Sequence, residues 1–450
     1  MSARVLIDGH NLTLQNPTGI GTYARNLGAA LSGIGLEPEL LLGGNSGVDR
    51  KDPQFSEIAL FDLLTAVKPS LKIGFDRALA RLIGKPFGVR AVEFPRVGLV
   101  DQAALSPNRA AIHDFHKIYL ATSLFDLALP HFKRYGRPLN FRLDVPPALF
   151  HATFPVPLKA RGCANIYTIH DLVPLRLPQT TLDDKKALLK LIRHLCRCAD
   201  HIVTVSEFSK LDIMRFFGIP ESRITNTYQS VHIPRPIVER SDDAVADELA
   251  KGFGLDFRGY YIFWGAIEPK KNVVRLIDAH AASGSPFPLI IAGALGWEYD
   301  REVEKLNDER FLYYRRDGDR IIPSRRVRRI PYLPFSQLMT LVKGARGVVF
   351  PSLYEGFGLP VLEAMMLGTP VITSKVASLP EISGDAAALV DPANVDDIAR
   401  AITAFDHDEG LRQELATRGL KRAAFFSPDA YRDRVAALYR KLGVESSRPN

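Results

Sequence analysis

Short apolar runs alternate with amphipathic stretches along most of the chain, and the alternation stops once and starts again. Strand-length apolar segments separated by stretches of helical period predict βα units around a mostly parallel sheet. In the first half the expected strands are residues 4–8, 39–42, 149–153, 165–169 and 201–205, with helices at 22–32, 182–198 and 208–217. Ile233-Pro234-Arg235-Pro236 then leads into an acidic stretch, 239–248, which reads as a linker and a short helix. Strands at 260–264, 289–292, 327–332, 347–350, 371–373 and 387–390 follow, with helices at 272–282, 298–307, 335–343, 359–367, 395–405, 411–424 and 428–442. The restart predicts two doubly wound α/β domains, residues 1–238 and 239–425, and a terminal helical segment, 426–450. Residues 46–147 fit no topology on pattern alone.

Composition narrows the class. Of 450 residues, 46% are hydrophobic and 24% charged, enough apolar material for more than one core. No apolar run approaches the roughly 20 residues of a membrane-spanning helix. The opening segment Met1–Asp8 shows no signal peptide. Cys163, Cys196 and Cys198 are too few for a disulfide framework, and Cys196-Arg197-Cys198 has no second pair to complete a zinc site. A reducing cytoplasm is the expected compartment. The net charge is +8, and residues 51–200 hold 22 Lys and Arg against 13 Asp and Glu. A second basic run spans Arg315, Arg316, Arg320, Arg325, Arg326, Arg328 and Arg329. Such surpluses suit a polyanion, an anionic membrane face or a phosphorylated substrate. Zinc-finger spacing, a ribonucleoprotein motif and a basic zipper are all missing from the sequence, so no nucleic-acid partner is expected.

In open α/β sheets ligands bind beyond the carboxyl ends of strands, and four unusual clusters fall there. Thr18-Gly19-Ile20-Gly21-Thr22-Tyr23 opens a helix, where glycines let backbone amides approach an anion; an ordinary turn explains a lone G-x-G as well. His170-Asp171 directly follows an apolar strand and can hold or orient a substrate hydroxyl, or simply cap a surface strand. Glu268-Pro269-Lys270-Lys271-Asn272 places two lysines at a helix start, against the macrodipole, which makes sense if a diphosphate sits there. The fourth, residues 352–364, is a Gly-rich loop running into a helix, with Glu355 on the loop and Glu363 one turn into the helix. One carboxylate there can meet a sugar and the other a ribose.

Residues 352–364 resemble the E-x7-E signature of family-4 glycosyltransferases, retaining enzymes of the GT-B fold. The likeness extends to the glycine loop at 18–23, to Thr168-Ile169-His170-Asp171-Leu172, to Thr204-Val205-Ser206-Glu207-Phe208-Ser209, to residues 265–272 and to Gly368-Thr369-Pro370-Val371. In flavour it is most similar to bacterial mannosyltransferases of O-antigen and exopolysaccharide assembly. The resemblance implies two Rossmann-like domains facing across a cleft, an acceptor-binding domain first and a nucleotide-sugar domain second, with the terminal helix crossing back to the first. It implies catalytic roles for His170, Lys271 and Glu355. Gly265, Lys270, Lys271, Glu355, the backbone of Gly356, Phe357, Gly358 and Leu359, and Glu363 would hold the donor, with Tyr332 and Leu333 flanking its base. Gly19, Gly21, Tyr23, His170, Asp171 and Ser206 would lie on the acceptor side. Where the family often has an arginine contacting the diphosphate, this chain has Ala266.

The expected reaction is therefore transfer of a hexose, mannose first, from a nucleotide-diphosphate sugar to a lipid-linked or polysaccharide acceptor. GDP-mannose is the favoured donor and a UDP-sugar the second. No cofactor is expected and no metal site, since Asp317-Gly318-Asp319 reads as a turn. Peripheral attachment to the inner-membrane surface follows from the basic surplus. The alternatives are another GT-B enzyme, such as an epimerase or phosphorylase, and a catalytically silent sugar-binding scaffold. Nucleophile-elbow, P-loop and dinucleotide fingerprints are missing.

Overall fold

The computed structural model describes residues 2–14, 19–44, 52, 54–58, 88–95, 98, 110–296, 304–306, 312–317 and 320–445. In the N-terminal half the strands are β1 (Arg4–Asp8), β2 (Glu37–Leu42), β3 (Val89–Arg90), β4 (Val92–Glu93), β5 (Lys117–Leu120) and β6 (Leu139–Arg142). They continue with β7 (Leu149–Ala152), β8 (Leu158–Ala160), β9 (Ala164–Thr168), β10 (His201–Thr204) and β11 (Ile224–Asn226). One eight-stranded sheet takes the order β11-β10-β9-β7-β1-β2-β5-β4, parallel except at its edge, where β4 runs against β5. Strands β3 and β6, in the stretch for which sequence offered least, form a small parallel sheet with β8.

The C-terminal half holds β12 (Tyr261–Trp264), β13 (Leu289–Ala292), β14 (Leu312–Asp317), β15 (Arg320–Arg325) and β16 (Val327–Ile330). It ends with β17 (Gly347–Phe350), β18 (Val371–Ser374) and β19 (Ala387–Val390). Six of these form an all-parallel sheet in the order β16-β13-β12-β17-β18-β19. Its inner strands are buried along their whole length, as a sheet covered on both faces requires. Strands β14 and β15 pair antiparallel from Asp317 and Arg320 backwards; residues 318–319, and most of the expected 298–307 helix, lie outside the described residues.

Both sheets reverse their winding at one place. In the first the order turns between β1 and β7, in the second between β12 and β17. A crevice opens at such a switch point, so the loops after these four strands are where function belongs.

The longer helices are α1 (Gly19–Gly33), α2 (Leu124–Tyr135), α3 (Lys185–Cys198) and α4 (Glu207–Phe217), then α5 (Asp242–Phe253), α6 (Val273–Ser283) and α7 (Phe335–Gly344). α8 (Leu359–Met366), α9 (Val395–His407), α10 (Glu409–Ala424) and α11 (Pro428–Lys441) complete the set. Helix α3 starts three residues later than its apolar pattern suggests because the Asp184 carboxylate caps it, accepting from the Ala187 amide at 3.0 Å.

Helix α11 packs on α1, returning the chain to the N-terminal lobe. A buried polar relay fastens it there: the Tyr439 hydroxyl lies 2.7 Å from His151 Nδ1, His151 Nε2 lies 2.8 Å from Thr168 Oγ1, and Thr168 Oγ1 lies 3.0 Å from the Tyr23 hydroxyl. Burial pushes the His151 imidazole down to about 3, so the ring is neutral. One apolar cluster runs from Val5 and Ile7 through Tyr431 and Tyr439 to Phe263 and Val349, joining the lobes on this side. Among the described residues no helix is long and apolar enough to cross a membrane.

Candidate active site

On the C-terminal side the site begins where β12 ends. Glu268 leads into a single 3-10 turn, Pro269–Lys271, and Asn272 adopts a left-handed conformation before α6. The two lysines thus stand ahead of the helix rather than in its first turn. Asn272 holds the turn in place by donating to the carbonyls of Pro351 at 3.0 Å and Pro392 at 2.7 Å, and the Leu353 amide donates to Lys270 O at 2.8 Å. The turn is thereby clamped to the loop that follows β17.

That loop carries Glu355. The Lys271 ammonium donates to its Oε1 at 2.6 Å, with both side chains largely shielded from solvent, and lies 5.0 Å from the Phe350 ring centroid. Burial works against the ionised carboxylate, but Lys271 and Lys270 outweigh it and hold Glu355 below the usual carboxylate range. Lys270 is desolvated too, yet Glu355 and Asp171 keep its ammonium more basic than normal. Two ammonium groups therefore converge on one carboxylate. Glu268, also buried, has its carboxyl raised by burial, and its Oε2 has no hydrogen-bond partner.

Helix α8 begins with no side-chain cap at Gly358, whose φ of 111° is left-handed territory. Its first-turn amides, save that of Pro360, are left for a ligand. Phe357 offers only backbone, for its ring is buried edge-on against Phe426. Glu363 accepts from the Trp264 indole N–H at 3.1 Å, and burial pushes its carboxyl up to about 7. Gly265 follows β12 with a φ of 132°. Tyr332 and Leu333 follow β16; Tyr332 is exposed, whereas Leu333 packs partly against the core.

The N-terminal face is assembled from distant segments. The buried Asp8 carboxylate accepts from the Thr153 amide, and the Thr153 carbonyl in turn accepts from His170 Nε2 at 2.8 Å. Because a carbonyl only accepts, Nε2 carries the proton, and burial keeps the ring neutral by lowering its pKa. His170 Nδ1 is left as a lone-pair acceptor. Burial also pushes Asp8 up to about 6. The Tyr23 ring meets His170 edge-on at 5.0 Å. A cavity of about 410 Å³ reaches His170 and Asp171, walled by Ile20, Phe125 and Phe154, with His10 stacked 4.9 Å from Phe125 and 5.7 Å from Phe154.

Two expected acceptor-side residues do other work. Tyr23 is only 1% exposed and its hydroxyl belongs to the relay toward α11, so it shapes His170 without reaching the cavity surface. Ser206 is fully buried; its Oγ donates to Gly356 O at 2.7 Å across the cleft, and Ser209 Oγ donates to His170 O at 2.9 Å. Ile20 rather than its neighbours Gly19 and Gly21 lines the cavity, while Gly19 lies against Leu359 of the opposite lobe. Gly356 must be glycine for the lobes to meet, since a Cβ there would stand 2.6 Å from His170 O.

Several contributors carried no motif. Glu381 of the C-terminal lobe accepts from the Glu207 and Phe208 amides at 2.7 and 2.9 Å, capping α4 across the cleft. The Tyr354 hydroxyl donates to Asp212, itself paired with Arg176. Asp8 and Trp264 had a signal available, since each is the last residue of a switch-point strand. Glu381, Thr153 and Asp212 had none. Ala266 is exposed. Among the described residues no group of three His, Cys, Asp or Glu is placed to hold a metal ion.

Two Rossmann-like lobes meeting at their switch points, with a lysine pair and an uncapped helix on one wall and a neutral histidine on the other, define a GT-B transferase. Comparison with known proteins agrees. Residues 255–422 match the model for glycosyl transferases group 1, and residues 95–233 that for glycosyltransferase family 4. The chain belongs to these GT-B glycosyltransferases. It is 34% identical over 273 residues to O-antigen chain mannosyltransferase B of Escherichia coli, covering 58% of this chain and 66% of that one. Serotype-specific mannosyltransferase WbdA of E. coli is 28% identical over 58% of this chain and 32% of its own length. The chain thus spans just under two thirds of the first relative and about a third of the second. Among solved structures, Anabaena Alr3699/HepE in complex with UDP and glucose superposes with a TM-score of 0.61 at 14% identity, over 97% of this chain and 99% of that one. WaaG, a glycosyltransferase involved in lipopolysaccharide biosynthesis, gives 0.56 at 12% identity, over 96% and 99%. These two show the fold.

Proposed function

We propose that this protein transfers a hexose, mannose in the first instance, from a nucleoside-diphosphate sugar to a glycan acceptor with retention of anomeric configuration, in bacterial surface-glycan synthesis. The observation that carries the reading is the Lys271–Glu355 pair, 2.6 Å apart and flanked by the open start of α8. Lys271, Lys270 and the α8 amides face the place where negative charge grows as the diphosphate departs. In a water-poor site such fixed positive groups are worth several kcal/mol of barrier. Glu355 receives hydroxyls of the transferring sugar, and Glu363 receives those of the ribose. Tyr332 and Leu333 bracket the base. His170 Nδ1 accepts a hydroxyl of the same sugar from the opposite wall, positioning the anomeric carbon toward the acceptor cavity. No enzyme nucleophile is needed in this scheme; the acceptor hydroxyl oxygen attacks from the face the diphosphate leaves, the anomeric C–O bond to the diphosphate breaks, and the hydroxyl proton passes to the departing phosphate oxygen. The positive charge comes from side chains, so transfer is expected to survive EDTA.

The E. coli relatives are mannosyltransferases by name, which supports mannose as the sugar; GDP-mannose is the donor proposed first and a UDP-sugar second. The acceptor is placed in the lipid-diphosphate or polysaccharide class, and the basic surplus of residues 51–200 supports docking from the cytoplasm onto the inner-membrane face. The test is a panel of labelled nucleotide sugars with mannose-terminated oligosaccharides, with the product's anomeric configuration read by NMR. Retained transfer from GDP-mannose is expected. Inverted product, or no turnover with any donor, overturns the reading.

A further inference from the structure

Beside the acceptor cavity lies a second concavity of about 410 Å³, between α2 and α3. Its floor includes Phe132 and His194, which meet edge-on at 5.6 Å. Its wall on α3 is Lys186, Lys190, Arg193 and Arg197. Steps of four, three and four put these four on one stripe of the helix, about 16 Å long at the α-helical rise. All four are exposed, and none of their side chains has an ion-pair or hydrogen-bond partner among the described residues. Lys133 faces them from α2 and pairs with Asp184 at 2.6 Å. Four like charges at neighbouring helical positions repel one another, and without an anion the stripe costs stability.

The groove is not isolated. Asp184 and Ala187 line both it and the cavity that reaches His170, so the two concavities share a wall at the start of α3. The character of the path changes along it. Near His170 it is aromatic and aliphatic, suited to sugar faces; beyond Asp184 it is cationic.

We propose that this groove binds the phosphate of a phosphate-linked acceptor whose sugar end lies at His170. The proposal rests on the glycosyl-transfer reading and adds to it where the acceptor's charge is held. The concave shape and the shared wall with the acceptor cavity favour a discrete phosphodiester or diphosphate over a flat lipid surface.

The test compares two synthetic acceptors of equal glycan, an octyl mannobioside and its octyl-diphosphate counterpart, with wild-type protein and the K190E/R193E variant. Both positions are exposed, so the variant is expected to fold, and donor hydrolysis without acceptor serves as the check. Expected is a KM for the diphosphate acceptor about tenfold or more below that of the neutral one, a preference lost in the variant while the neutral acceptor's KM stays unchanged. Direct binding of the octyl-diphosphate compound, with the donor site saturated by nucleotide, should weaken in parallel. Equal preference in wild type and variant overturns the groove while leaving transfer itself standing. So does a variant that loses only its binding to vesicles containing phosphatidylglycerol, which would make α3 a membrane contact. Absence of transfer to either acceptor by the wild type sinks the functional reading instead, and the binding measurement then decides the groove by itself.

Discussion

The two walls of the cleft reach the same precision by opposite routes. On the C-terminal wall the working groups come from two short stretches, 264–272 and 352–363, attached to the neighbouring parallel strands β12 and β17. The hydrogen bonds that hold them, such as Asn272 to Pro351, join one stretch to the next loop. On the N-terminal wall the chain from Asp8 through Thr153 to His170 spans three strands' ends, and Tyr23 and Ser209 arrive from two further helices. The first wall is two motif-bearing loops clamped to each other, the second a meeting of five segments that each bring one or two groups. Charge follows the same division, with paired lysines and a carboxylate on one side and a neutral imidazole on the other.

This contrast predicts unequal sensitivity. Lys271→Ala removes charge aimed at the leaving group and leaves Glu355 buried without its closest partner, so kcat/KM should fall by about 10² to 10³; an effect under tenfold would break the assignment of the lysine wall. His170→Ala removes a neutral hydrogen-bond acceptor, and a smaller loss, about 10 to 10², is expected in steady-state rates. If His170→Ala proved the more damaging, the division of labour between the walls would be reversed.

A finer distinction concerns protons. The Glu363 carboxyl, raised to about 7, is mostly protonated below that pH in the free protein, while a ribose hydroxyl donates best to the ionised form. Nucleotide affinity should therefore rise as pH increases toward 7, by up to about tenfold per pH unit, and flatten above it. Calorimetric titrations at several pH values would show this slope, and Glu363→Gln should abolish it.

The smallest effect on catalysis is expected behind the N-terminal wall. Tyr439→Phe strips the buried His151 Nδ1 of its partner and should cost about 1–3 kcal/mol in urea unfolding, with little change in KM. For His151 the folded pKa of about 3 lies below the ordinary 6.5, so the unfolded chain binds the extra proton between these values. Stability should hence fall as pH drops from 6.5 toward 3, and a His151 variant unable to titrate should lose that part of the slope.

Legibility in the sequence follows the same division. Apolar period, proline and glycine punctuation and the E-x7-E spacing are local properties, and they located all six strands of the second sheet and the loops that carry Lys271 and Glu355, but only five of the eight strands of the first, missing β4, β5 and β11. The E. coli relatives and the two family models agree with that reading of the fold. Where contacts are remote, local pattern was silent or misleading. Tyr23 and Ser206 stand in the right motifs, but burial directs the first toward α11 and the second across the cleft to Gly356. Glu381 looks like any acidic residue near a helix start until the other lobe brings the α4 amides to it.

The amino-acid order alone thus determined two α/β lobes, every strand of the second sheet and the motif-bearing loops after β12 and β17, because those depend on hydrophobic period and on spacing within a few turns of chain. Only the tertiary structure decided that His170 keeps its proton on Nε2, that Glu363 titrates near neutrality and that the α3 stripe borders the acceptor cavity. Each of these is set by desolvation and by partners brought from far along the chain, and neither quantity is written in any local stretch of sequence.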